Sequence, residues 1–155
     1  MPWSIVYFGR HKGKTLPQII LSDPDWFFWA IEEEVFKDRG SLAVEAQEVY
    51  KKATSIKIPN NDNGELVAEY SIHKPSGKFS GFHMIPSSRP HYEGSSSSFR
   101  KTVIDMSVPR KLACYDKWGC KQLLSSLKLY VFGDKSVRMT KKKCEDFFGT
   151  SGNFE

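Results

Sequence analysis

Residues 8–29 read FGRHKGKTLPQIILSDPDWFFW, and this stretch decides how the N-terminal part of the chain folds. Two glycines enclose a short basic segment, and a helix start rich in aromatic side chains follows. Glycine reaches φ > 0 and lets a ligand approach the backbone closely, while cations attract phosphate. The stretch therefore predicts a nucleic-acid contact element. Its predicted phosphate contacts are Arg10, His11, Lys12 and Lys14.

The same stretch does not fit the phosphate-binding P-loop of NTPases. That motif has about four residues between its first glycine and the Gly-Lys-Ser/Thr end, and a helix begins at its lysine. Here Gly9 and Gly13 enclose three residues. Pro17 also disfavours a helical conformation at Leu16. The spacing therefore argues against a P-loop NTPase.

The order of glycines, lysines and aromatic residues resembles a known family. The residues that carry the pattern are Phe8, Gly9, Lys12, Gly13, Lys14, Leu16, Asp23, Pro24, Trp26 and Trp29. They are similar to the small C-terminal domain of exodeoxyribonuclease X and its stand-alone relatives in bacteria and phages, over residues of about 5–59. The resemblance implies an accessory nucleic-acid-binding domain, because the family's acidic catalytic residues lie in a separate preceding exonuclease domain. Only seven residues precede Phe8 here, so the resemblance implies binding without cleavage.

The composition is that of a folded chain without a membrane segment. Hydrophobic residues make up 39% and aromatic residues 14%, which argues against global disorder. No apolar run approaches the ~18 residues of a membrane helix, and the N-terminus lacks a signal-peptide pattern. The three cysteines, Cys114, Cys120 and Cys144, form no C-x-x-C pair and predict free thiols in a cytoplasmic protein.

Charge is distributed unevenly along the chain. Up to Gly77 there are 9 Lys and Arg against 11 Asp and Glu, net −2, whereas from Lys78 onward there are 14 against 7, net +7. This asymmetry predicts that the C-terminal half contacts a polyanion or an acidic protein surface, the alternative being a basic face without a partner. The predicted phosphate contacts in that half are Lys121, Arg138, Lys141, Lys142 and Lys143.

Local patterns predict an α+β fold that begins with a ββαα module in residues 1–59. Aspartate before proline favours a helix start, and apolar residues at helical spacing favour the next helix. The expected elements are strands at 4–8 and 15–16, a helix capped by Asp23 that reaches about Asp38 and is ended by Gly40, and a helix that starts after Ser41 and continues to about Thr54.

Residues 65–155 are predicted to form a small basic antiparallel sheet unit with one or two helices, after a linker or turn at 60–64. The polar segment 86–98 is expected to be a mobile or interaction loop. The expected elements are a hairpin of strands 65–73 and 79–85, further strands at 101–108, 128–132 and 136–139, a helix capped by Asp116, and a short helix capped by Thr140 and ended by Gly149. Lysines at 141–143 oppose the dipole of that last helix, which a bound anion would explain.

Four consecutive aromatic residues in one helix cannot all face one core. At about 100° per residue, Trp26 and Trp29 share a face and are expected to pack inside the module. Phe27 or Phe28 is then expected to be exposed, and Phe28 is the predicted base-stacking ring.

Patterns for catalysis or metal binding are weak in this sequence. Carboxylates after Lys78 are scattered, and the run Glu32 to Glu34 is typical of a solvated helix face. His73, His83 and His91 match no metal-ligand spacing, although the first two would face each other in a hairpin centred near Lys78. We therefore expect no catalytic residue, no metal and no cofactor.

The expected function is that of a non-enzymatic nucleic-acid-binding accessory protein, with DNA favoured over RNA and no membrane partner. The alternative is a phage-type protein that binds an acidic host surface and inhibits a host defence or nucleic-acid-processing complex. Residues 86–99 would then be a contact surface. A small metal-dependent hydrolase or nuclease is the third hypothesis.

Overall fold

Two small antiparallel sheets, six α-helices and a short 3-10 helix (Ser151–Asn153) make up the part of the chain that the computed structural model describes, which is residues 3–59, 61, 63–90, 96–113 and 116–155. The fold is α+β, as the sequence predicts. The helices are α1 (Leu16–Ile20), α2 (Pro24–Glu32), α3 (Ser41–Ala53), α4 (Val108–Leu112), α5 (Lys117–Phe132) and α6 (Lys141–Gly149). The strands are β1 (Ile56–Lys57), β2 (Leu66–His73), β3 (Lys78–Pro86), β4 (Ser96–Lys101) and β5 (Val103–Ile104).

The larger sheet has the order β3-β2-β4, with all neighbours antiparallel. The β2–β3 pair confirms the predicted hairpin. The second sheet pairs β1 with β5, so that Ile56 lies opposite Ile104. Ile56 also forms a bridge with Phe154. These pairings place the middle and the C-terminal end of the chain beside each other.

The N-terminal segment is more helical than the sequence suggests. The expected strand at 4–8 is reduced to a single bridge between Ile5 and Thr15. Thr15 then caps α1 instead of starting a returning strand, and its backbone N–H donates to Gln18 Oε1 at 3.0 Å. Pro17 lies in the first turn of α1. The expectation that Pro17 prevents a helix at Leu16 is wrong, because a proline in the first turn removes no helix hydrogen bond.

Helix α2 begins as predicted and ends early. Asp23 accepts a hydrogen bond from Trp26 N at 3.4 Å, and Pro24 is the first helical residue. The helix stops at Glu32, because the backbone takes φ values of 55° at Glu34 and 61° at Asp38 that no α-helix allows. The expected extension to Asp38 is therefore wrong.

Helix α5 replaces one of the predicted strands. Residues 128–132 continue the helix that Asp116 caps, and Gly133 ends it in the left-handed conformation with φ 88°. Residues 136–139 form no strand either. The stretch is rich in β-formers, but Leu123 and Leu127 bury one helical face that Val131 extends. Packing at helical spacing thus prevails over local strand propensity.

A single hydrophobic cluster contains residues from both sides of the predicted boundary at 60–64. It includes Phe27 and Ala53 from the first segment and Phe82, Leu127 and Phe148 from the second. The division into units 1–59 and 65–155 stays a prediction. No helix in the described ranges is long and apolar enough to cross a membrane.

Candidate nucleic-acid interface

The Gly/Lys loop, residues 9–14, is a tight turn closed by backbone hydrogen bonds. Val6 N–H donates to Lys14 O, and Gly13 N–H donates to Val6 O, both at 2.8 Å. Gly13 has φ 92°, a conformation that favours glycine. The turn leaves Lys12 and Lys14 exposed to solvent. With Arg10, which is also exposed, the loop therefore presents three exposed cations on a backbone fixed by hydrogen bonds.

His11 does not share the exposed position of these lysines, since the residue is only 7% exposed. Its Nε2 lies 3.1 Å from Asp23 Oδ2, and its ring meets the Trp26 ring edge-on at 4.8 Å between centroids. Burial lowers the pKa of His11, although the hydrogen bond to Asp23 opposes this shift. The expectation that His11 faces phosphate is corrected, because the ring instead attaches the loop to the start of α2.

Trp26 is half-buried and packs against the core as predicted, whereas the other aromatic residues of α2 are arranged opposite to the prediction. Phe27 is fully buried and Phe28 is 3% exposed, whereas Trp29 is 41% exposed. Phe28 packs edge-on against Tyr50 of α3 at 5.9 Å between centroids. The prediction of Phe28 as a stacking ring is therefore wrong. Trp29 is the exposed aromatic side chain of this helix, and its ring lies 6.1 Å from that of Trp26.

Trp26 and Trp29 border a cleft of about 470 Å³ that also receives residues from the C-terminal half. We call it the indole cleft. It is lined by Arg10, Asp23, Asp25, Trp26, Trp29, Arg110 and Lys117. Cations from the Gly/Lys loop, α4 and α5 thus meet acidic and aromatic side chains from the start of α2.

Arg110 holds α2 against the C-terminal half. Its Nε and Nη2 donate to the Glu32 carboxylate at 3.0 and 2.9 Å, and its Nη1 donates to Asp25 Oδ1 at 3.0 Å. Arg110 and Asp25 are both buried. Hydrogen bonding to Glu32, opposed by burial, raises the pKa of Arg110. The Arg110 charge is therefore permanent, but it is already neutralised within the protein.

Arg10 and Lys117 are the cleft cations that remain accessible. The Arg10 side chain is 61% exposed, and its Nη1 is 3.7 Å from Asp23 Oδ2. Lys117 forms no ion pair with the described residues. The predicted contact Lys121 is exposed and follows Lys117 by one turn on the same side of α5. Exposed cations of the Gly/Lys loop and of α5 thus lie on either side of the cleft.

The other predicted phosphate contacts lie at the opposite end of α5. Helix α6 packs there through Phe147, whose ring is 5.3 Å from that of Phe132. From Lys121 to Phe132, α5 is about 16 Å long. This second basic group consists of Arg138, Lys141, Lys142 and Lys143. The structure therefore divides the predicted contacts into two groups, and within the second Lys142 is paired with Asp146.

The histidines are also placed differently from the expectation. His73 lies opposite Lys78 and His83 opposite Glu69, so the two do not face each other. His91 lies outside the described residues, as do Cys114 and part of the expected loop 86–98. Across the described ranges, no group of three or more His, Cys, Asp or Glu side chains could hold a metal ion.

No protein-family model, curated protein or solved structure matches this chain. The resemblance to the exodeoxyribonuclease X C-terminal domain accordingly remains a prediction from the residues that carry it.

Sequence reasoning missed the contribution of Arg110 and Lys117 to the cleft. Arg110 is 78 and 85 residues from its partners Glu32 and Asp25, so no local pattern links them. Lys117 was recognisable only as the residue after an N-cap. The charge asymmetry was the one available signal. It indicated which half of the chain is basic but not which of its residues reach the cleft.

Proposed function

We propose that the protein binds nucleic acid without cleaving it, with a base stacked on Trp29 and the backbone held by surrounding cations. The supporting observation is the exposed Trp29 ring in a cleft that Arg10 and Lys117 enter from two other segments. Stacking of a base on an aromatic side chain contributes ~1–3 kcal/mol, and lysine and arginine contacts to phosphate add a sequence-independent attraction. On this proposal Trp29 takes the role that the sequence assigned to Phe28.

The proposed location is the cytoplasm, as the sequence predicts. Cys120 and Cys144 are free thiols, and both are buried in the core. Free cysteines are typical of proteins in a reducing compartment, which supports the proposal.

The test is fluorescence anisotropy with labelled DNA and RNA oligonucleotides at about 50 to 200 mM salt, with and without magnesium. We expect affinity to fall steeply with salt and the label to keep its size in magnesium. The R10A/K12A/K14A variant should lower the slope of log K against log salt by about 2, because three phosphate contacts are lost. Trp29→Ala should weaken binding about tenfold or more at every salt concentration.

A charge-matched variant, K51A/K74A/K78A, is the control. These three lysines are exposed and lie outside both basic groups, so their removal should leave the slope unchanged. A salt-independent affinity, or equal losses in the two triple variants, would contradict the phosphate-contact proposal.

A second candidate function is protein binding, and the outward side of α5 favours it. Trp118 is 65% exposed, Leu129 is also exposed, and the helix contains no acidic residue. Two exposed apolar side chains beside lysines suit an acidic protein surface. Absence of nucleic-acid binding at the lowest salt concentration would make this the leading proposal. The protein-binding proposal then predicts that the W118A/L129A variant loses binding to the protein partner and that the R10A/K12A/K14A variant keeps it.

A further inference from the structure

We propose that the indole cleft selects single-stranded over double-stranded nucleic acid; this inference rests on the proposed function. The cleft has two chemically different walls. One wall is α2, which contributes both indoles and carboxylates. The other wall contributes cations from the Gly/Lys loop and the start of α5.

Asp23 and Asp25 line the cleft, and further carboxylates follow Trp29 along the same side of α2. Asp25 precedes Trp29 by one helical turn, and Glu32 and Glu33 follow it by three and four residues, so all lie on one side of α2. Glu33 is exposed, and its backbone N–H donates to Trp29 O at 2.9 Å. The negative end of the α2 dipole lies at the same place.

Arg110 does not cancel this negative charge. Its single positive charge is shared by Asp25 and Glu32 through three donor nitrogens. One excess negative charge remains on that group, and Glu33 adds another. The end of α2 beyond Trp29 is therefore acidic, in keeping with the net charge of −2 up to Gly77.

The cation wall is suited to one phosphate backbone only. Arg10 and Lys117 line the cleft. Lys12 and Lys14 are exposed neighbours of Arg10 in the loop, and Lys121 is exposed one turn after Lys117 on α5. A single strand can follow these cations and turn an unstacked base toward Trp29. The acidic wall then meets base edges, whose amino groups donate hydrogen bonds to carboxylates.

A duplex meets this cleft with two disadvantages. Its bases are already stacked and paired, so none is free to lie on Trp29 without being extruded. When its first backbone lies on the cations, its second backbone comes within ~10 Å of the α2 carboxylates, a distance at which salt does not fully screen their repulsion. A duplex carries one negative charge per ~1.7 Å, so this repulsion opposes binding. Strand selection thus follows from the separation of charge across the two walls.

The experiment compares the affinity of the full chain for a labelled single strand of about 20 nucleotides and for the same strand in a duplex, at about 100 mM salt. We expect the wild-type protein to bind the single strand about tenfold more tightly. Trp29→Ala should reduce this preference to about twofold. Trp118→Ala removes an exposed indole that does not line the cleft, and it should leave the preference unchanged.

A pair of charge reversals tests the acidic wall. Glu33→Lys should raise duplex affinity several-fold more than single-strand affinity, so that the preference falls. Glu65→Lys changes net charge equally at an exposed position just before β2, and it should raise both affinities alike. Equal binding of the two ligands by the wild-type protein, or equal effects of the two reversals, would overturn strand selection while the proposed function stands. Binding of neither ligand would overturn both.

Discussion

Arg110 joins α2 to the C-terminal half of the chain through charge. Its guanidinium reaches the buried Asp25 and the more exposed Glu32, both on α2. A buried ion pair of this kind adds little stability over apolar packing, but removal of one partner leaves a charge uncompensated. The interaction therefore matters most for the position of α2 relative to α4.

We expect Arg110→Ala to reduce the free energy of unfolding by about 3 kcal/mol, because Asp25 is left buried without a counter-charge. Urea denaturation followed by circular dichroism measures this change. The control is Lys142→Ala, which removes an exposed pair with Asp146 and should not shift the urea midpoint. Equal midpoints for Arg110→Ala and the wild type would contradict the assigned role.

His11 predicts how stability depends on pH. Its folded pKa lies below the ordinary value of 6.5, mainly because of burial. Between pH 6.5 and the lower folded pKa, the unfolded chain therefore binds a proton that the folded chain does not. The stability contributed by neutral His11 is present above pH 6.5 and is lost as pH falls through the folded pKa.

The measurement compares urea midpoints of the wild type and the His11→Gln variant about one pH unit above and one below the ordinary histidine pKa. A glutamine side chain cannot titrate, so any stability advantage of the wild type should shrink at the lower pH. A wild-type advantage that grows on acidification would show that His11 is stabilised in its charged form.

At the scale of elements, the start of α5 depends on a close approach between Asp116 and Gly119. Asp116 Oδ1 accepts a hydrogen bond from Gly119 N at 2.9 Å. A Cβ on Gly119 would lie 2.7 Å from Asp116 Cγ, so a larger residue would force the Asp116 carboxylate out of its capping position. This cap places Lys117 at the edge of the indole cleft.

Gly119→Ala should therefore displace the cap and cost ~1–2 kcal/mol of stability, despite the higher helix propensity of alanine. Thermal unfolding by circular dichroism provides the measurement. Gly149→Ala is a matched control, since that glycine also lies at the end of a helix and has open space around its Cβ position. The control should be neutral or slightly stabilising. Equal behaviour of the two variants would contradict the steric argument.

At the scale of the whole molecule, the shared core predicts cooperative unfolding. Ile56 from the first segment pairs with Ile104 and bridges to Phe154. Trp26 and Trp29 report on one side of the predicted boundary and Trp118 on the other. Disruption of either side would remove packing from the other.

We expect tryptophan fluorescence and far-UV circular dichroism to show one coincident urea transition. A fragment of residues 1–59 should not fold alone, because Ile56 and Ala53 would lose their partners from 103–106. A well-dispersed NMR spectrum of that fragment would instead support the predicted division at 60–64.

The parts of the fold that could be predicted from the sequence depend on residues close together in the chain. Asp23, Asp116 and Thr140 act as the expected N-caps, because each cap accepts a hydrogen bond from a backbone N–H three residues later. The β2–β3 hairpin is likewise a contact between neighbouring segments. Residues 128–132 were misjudged because their β-rich composition did not reveal the helical packing of α5.

The sequence by itself determined the α+β class, the caps, the main hairpin and the basic character of the C-terminal half, since composition and short-range contacts specify these properties. Only the tertiary structure decided that Phe28 is buried and Trp29 exposed, because the packing of α1 and α5 around α2 selects the aromatic residues that remain free. It also decided that Arg110 and Lys117 meet Arg10 at the indole cleft. Contacts between residues so far apart in the chain depend on the packing of the whole core, and no local pattern records them.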